Sequence, residues 1–156
     1  MANPRADMID RILAYADSEL LCHRATEPSE LVEAQQAIWQ PLLDWCAGRF
    51  QAPLKAGIGI MPIKQPPESL QALRRALEVY DDKRLEILDR AVRALGSLVL
   101  GLALAEGRLS AAQALDAAEL DATHQMQKWG EDPAIRARRK DSLRALELYE
   151  KEFEAL

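Results

Sequence analysis

Leu85–Glu106, LEILDRAVRALGSLVLGLALAE, is the longest apolar segment of the chain and the one on which the fold turns. Leu85, Leu88, Val92, Leu95, Val99 and Leu102 recur at spacings of three and four, which lays an apolar seam along one side of a helix. From Ala94 to Ala105 no residue is charged, and Ile87, Ala91, Leu98 and Leu104 make the other faces apolar too. A helix that is apolar all round is a buried one. The spacing therefore predicts one central core helix, roughly 33 Å long at about 1.5 Å per residue. Gly96, Ser97 and Gly101 lower its helix propensity, and close approach of neighbouring helices is the expected return at those positions. A membrane span is excluded by length, because the uncharged run stops at Arg93 and Glu106, short of the roughly 18 residues that a span needs.

With 156 residues around such a helix, one domain is expected. A composition rich in Ala, Leu, Glu and Arg favours helix over strand. The net charge of -5 argues against nucleic acid and anionic membrane surfaces as partners. Cys22 and Cys46 have no CxxC spacing, which suits buried thiols in a reducing compartment. The start, MANPRADMIDRI, lacks the basic-then-apolar layout of a signal peptide, so a cytoplasmic location is expected.

On the N-terminal side, Asn3-Pro4 reads as an N-cap and first turn, followed by an amphipathic helix through Ile9, Ile12 and Ala16. Leu20 to Arg24 could be extended. From Ser29 the residues Leu31, Val32, Ile38, Leu42, Trp45 and Cys46 keep helical spacing, with a kink or fresh start expected near Gln40 because of Pro41, and a stop at Gly48. The glycines and prolines of LKAGIGIMPIKQPP forbid a helix, and Ile58 and Ile60 alternate as in a strand. That extended segment, near 57–63, must pair its backbone with Leu20 to Arg24 or lie against a partner. A helix from Pro67 to near Tyr80 follows, and Asp81 caps the central one.

On the C-terminal side, Gly107 is a stop and Ser110 to Gln113 a capping box. The helix it opens carries an apolar stripe of Ala111, Leu115, Ala118, Ala122, Met126 and Trp129, with Ala117, Asp121, His124, Gln125 and Lys128 on another face. Asp132-Pro133 then starts a last helix that turns Leu143, Leu146, Tyr149 and Phe153 inward. The sum is a mainly α fold: an antiparallel helical domain of about six helices around a buried central one, with one short extended segment.

Chemistry is sparse. Only His23 and His124 are present, far apart, and no metal-ligand spacing, P-loop, GxGxxG, GxSxG or HExxH occurs, so neither metal nor cofactor nor enzyme activity is expected. The basic run Arg136, Arg138, Arg139, Lys140 lacks interleaved aromatics and shares its helix with Glu147, Glu150 and Glu152, as a solvated helix face would. Trp39 and Trp45 fit a core pattern, whereas Trp129, beside Gly130, Glu131 and Asp132, is read as packing, with a half-exposed binding ring as the competing role.

Two blocks carry a resemblance that covers most of the chain. The first runs from LLCHRA through Gln36/Trp39 and PLLDW to GIGIMPIKQP. The second is GSLVLGLALAEGRLSAAQAL, followed by Leu120-Asp121, Gln125 and Trp129-Gly130-Glu131-Asp132. In this order, above all AEGRLS with QMQKWGED downstream, they resemble the chaperones of mitochondria and α-proteobacteria that assemble the catalytic head of the F-type ATP synthase by holding its free α subunit. The resemblance implies that residues 1–156 are a single helical domain equivalent to the family's C-terminal one, without the smaller β-rich domain that precedes it in the family. The family's acidic run after the leucine is represented here by Asp121 alone. It implies a monomeric, non-catalytic partner of the α subunit in the bacterial cytoplasm, as in the mitochondrial matrix for eukaryotic relatives. Together with the polar residues that face away from the stripe, it implies a contact face of Asp121, Gln125, Trp129, Glu131 and Asp132, with GIGIMPIKQP as a second candidate surface or, equally, as the seat of the family's N-terminal domain. From the residues alone, a helical interaction module with a different partner, or a small enzyme, stands as the alternative.

Overall fold

Asn3 caps the first helix as its sequence suggests: its side chain accepts from the Ala6 N–H at 3.1 Å, and Pro4 occupies the first turn of α1 (Pro4–Ala14). In the computed structural model, which describes residues 3–59, 61–130 and 132–156, two 3₁₀ turns and a short strand β1 (His23–Arg24) lead into α2 (Ser29–Phe50), and strand β2 (Gly57–Ile58) lies in the loop after it. The remaining helices are α3 (Pro67–Val79), α4 (Asp82–Leu95), α5 (Leu98–Ala105), α6 (Ala111–Ala118), α7 (Leu120–Trp129) and α8 (Pro133–Glu154). The fold is mainly α, with eight helices among the described residues rather than six. The extra two come from breaks that the apolar periodicity runs straight through.

The first break divides the central segment at Gly96-Ser97. Gly96 ends α4 with φ 68°, a left-handed conformation that costs other residues a Cβ clash, and its N–H closes on the Val92 carbonyl at 2.8 Å. Ser97 then opens α5 by accepting from the Leu100 N–H at 3.0 Å. Thus α5 folds back onto α4 instead of extending it. A Cβ on Gly101 would sit 2.5 Å from Cγ2 of Val92, so the close approach expected at Gly101 is real, and its partner is α4. At Gly96 nothing approaches within 4 Å; that glycine serves the turn. Every residue of α5 is buried, which answers its apolar circumference.

Around this folded pair, α1 packs on α3 and α4, α8 crosses α4 and α6, and α2 lies against α5 and α7. Arg5 pins α1 to the α3–α4 junction, donating to Asp82 at 2.6 Å and to the carbonyls of Glu78 and Tyr80 at 2.8 and 2.6 Å. Those carbonyls end α3 and lack helical partners.

On α2 neither a fresh start at Pro41 nor a stop at Gly48 is found. The helix passes Pro41 without a break: Ala37 and Pro41 lie on its exposed side, where water can serve the Ala37 carbonyl that proline leaves free. Nor does it stop at Gly48. Phe50, buried edge-to-face against Trp45 at 5.5 Å, holds the last turn, and Gln51 takes the left-handed position at φ 56°. The pairing of the two extended segments is found, as a parallel ribbon with His23 opposite Gly57 and Arg24 opposite Ile58. It is shorter than expected, because Leu20–Cys22 is a 3₁₀ turn; Ile60 lies outside the described residues. Among the described residues no helix is long and apolar enough to cross a membrane.

Candidate partner-binding groove

The second break is at Glu119, where the helix expected to run from Ala111 to Trp129 bends into α6 and α7 without glycine or proline. A long-range ion pair holds the bend: Arg139 of α8 donates to Glu119 at 2.6 Å and also to Asp116. Arg139 is therefore a structural cation within the basic run. Beyond the bend the stripe loses its cover, and no residue of α7 is buried.

Trp129 departs most from its sequence reading. It is 79% exposed at the end of α7, with the Lys128 ammonium 5.4 Å from its ring centre, so packing is not its role. The polar residues assigned to a different face from the stripe turn toward the head of α2. Asp121, His124, Gln125, Lys128 and Trp129 line one side of a groove of about 270 Å³, and Glu27, Pro28 and Leu31 line the other. Ala117, grouped with them from spacing, is buried, and its carbonyl accepts from the Trp39 indole at 2.8 Å.

Interlocking side chains from the first motif block position this groove. Arg24 donates to the Leu21 carbonyl at 2.7 Å and to Gln40 at 3.0 Å, and its guanidinium lies 6.0 Å from the Trp39 ring centre. Gln35, which sequence reasoning passed over, accepts from the Ala25 N–H and donates to Asp121, both at 2.8 Å. Asp121 is thereby fixed on the groove wall. Of the five residues expected at the contact face, Asp121, Gln125 and Trp129 are brought together. Asp132 is exposed but occupied as the cap of α8, accepting from the Ala134 N–H at 2.9 Å. Glu131 lies outside the described residues. The second candidate surface, GIGIMPIKQP, exposes Ile58 and Met61 and is anchored by Gln65, whose amide bridges the Lys55 N–H and carbonyl at 2.7 and 3.0 Å.

The groove offers hydrogen bonds, charges of both signs and one large aromatic face. Burial, with Glu19 nearby, pushes the Cys22 and Cys46 thiols up to about 12, so both stay protonated at neutral pH. Among the described residues no group of three or more His, Cys, Asp or Glu could hold a metal ion.

Residues 1–47 match the family model of the ATP12 chaperone protein. The crystal structure of Atp12 from Paracoccus denitrificans superposes with a TM-score of 0.90 at 34% identity over 95% of this chain. The chain is similar to the ATP12 chaperone proteins over almost its whole length. An aspartate-to-lysine variant of the same Paracoccus protein is similar at TM-score 0.91 and 33% identity over 96% of the chain, and a proposed chaperone of Agrobacterium tumefaciens at 0.91 and 34% over 98%. The chain spans 64% of each Paracoccus structure and 57% of the Agrobacterium one. Within this ATP12-type fold the groove between α7 and the head of α2 joins the two motif blocks, which are separated in sequence by α3 and α4.

Proposed function

We propose that this helical unit acts as an assembly chaperone for the F-type ATP synthase head, binding the free α subunit in the bacterial cytoplasm through the α7–α2 groove until β joins. The observation that carries the reading is Trp129: a large aromatic, 79% exposed, at the rim of a groove whose wall carries a fixed carboxylate, is arranged as a docking anchor. The ATP12 family description supports the chaperone class, and the ordered motifs AEGRLS and QMQKWGED support the α subunit as partner. We also infer that the unit corresponds to the family's C-terminal domain.

A free α subunit exposes surfaces meant for its β neighbours, and apolar patches of that kind aggregate. A monomeric holder bound one-to-one covers such a surface and is displaced by mass action when the larger native interface forms. No ATP hydrolysis or covalent step is required. Asp121, Gln125, Trp129, Glu131 and Asp132 form the proposed contact face.

The test is co-expression of the chain with the α subunit, with and without the β-rich domain of a close relative. Soluble, co-purifying α is expected, and Asp121→Lys or Trp129→Ala in a folded chain should abolish it. Unchanged capture by both variants would move the face elsewhere; insoluble α in every combination would leave an interaction module with another partner.

A further inference from the structure

We propose that Gln35 is the positioning residue of the groove, its amide clamping Asp121, and with it α7, in the orientation that meets the partner. The role in binding rests on the function proposed above; the clamp itself rests on hydrogen-bond geometry.

Gln35 sits in α2 at 1% exposure, and its two ends meet unlike groups. The Ala25 N–H donates to Oε1 at 2.8 Å, while Nε2 donates to Oδ1 of Asp121 at 2.8 Å. A backbone N–H can only donate and an ionised carboxylate can only accept, so the amide fits in one orientation. One side chain therefore links the strand-to-helix connection, the interior of α2 and a residue 86 positions away on α7. The link matters because packing holds α7 mainly at its start: none of its residues is buried, Leu120 rests against the core, and the Arg139 pair with Glu119 secures the same near end. The other oxygen of Asp121 makes no hydrogen bond or ion pair among the described residues. Gln35 thus uses one lone-pair side of the carboxylate and leaves the other for a donor on the partner.

Hydrogen exchange on the full chain reads the clamp without any partner. Gln35→Leu should accelerate exchange of the α7 amides about tenfold while those of α5 stay protected. Asp121→Ala breaks the same bond from its exposed end, which keeps the test valid if the buried substitution impairs folding; it should have the same effect, and the double variant no more. Gln35→Glu should also release α7, and adding Asp121→Asn should restore protection, because the introduced carboxylate can accept from both the Ala25 N–H and the new amide. Unchanged α7 exchange in both single variants, or additive effects in the double, would overturn the clamp.

Binding is scored separately by α-subunit co-purification. Gln35→Leu keeps the Asp121 charge, so a loss of capture about equal to that of Asp121→Ala marks positioning, and full capture would overturn the role in binding. A wild-type chain that fails to capture α while the exchange pattern holds would sink the proposed function and leave the clamp standing.

Discussion

At Glu19 a carboxylate is enclosed by donors from two segments of chain: the Leu21 N–H at 3.1 Å, and, 78 to 80 positions away, the Ser97 hydroxyl at 2.5 Å and the Val99 N–H at 2.9 Å. It closes the start of α5, where helix N–H groups lack partners. Burial raises its pKa and outweighs the hydrogen bonds to Ser97, Val99, Leu21 and Leu98 that favour the charged form. The folded state therefore holds the Glu19 proton to higher pH than the unfolded chain does, and this group's contribution to stability falls as pH rises from its ordinary value of 4.5 through the raised folded one. Denaturant titrations at stepped pH should show that fall in the wild type, while Glu19→Gln loses the slope. The variant should also be about 1–3 kcal/mol less stable at low pH, because its NH₂ must face one of the donors. The tryptophans offer a second contrast at this scale. Trp39→Ala should cost about 3–5 kcal/mol, since its ring is fully buried and its indole N–H is bonded. Trp129→Ala should stay within about 0.5 kcal/mol of wild type in the same titration.

Between elements, the two glycines of the central segment do different work, and substitution separates them. Gly96→Ala meets no neighbour, so its cost is conformational, about 1 kcal/mol for a Cβ in the left-handed region. Gly101→Ala drives a methyl into the Val92 side chain and should cost about 1–3 kcal/mol through strain at the α4–α5 contact. Adding Val92→Ala to Gly101→Ala should recover part of that loss, whereas adding it to Gly96→Ala should only destabilise further. Thermal denaturation of the four variants checks both statements.

Across the whole molecule, a stoichiometric holder should raise α-subunit solubility linearly up to one chain per α, independently of ATP; light scattering during a titration would expose substoichiometric action, which contradicts the proposal. Helix starts were legible wherever a cap is local: Asn3-Pro4, Asp81, Ser110 with Gln113, and Asp132-Pro133 all behave as read. The breaks were not. Leu95, Val99 and Leu102 keep helical spacing across Gly96-Ser97, and what ends α4 there includes a carboxylate from Glu19, far away in sequence. At Glu119 the bend depends on Arg139 of another helix. In the groove, Asp121, Gln125 and Trp129 could be selected by motif, but Gln35, Pro28 and Leu31 join them only through folding. That arrangement also makes the three indoles optically distinct. Trp39 is shielded and Trp45 half-shielded, while Trp129 faces water with an ammonium beside it. Red-edge emission and quenching by a soluble quencher therefore report chiefly on the groove rim, and docking a partner there should shift the spectrum to the blue: the chain carries its own label for the encounter.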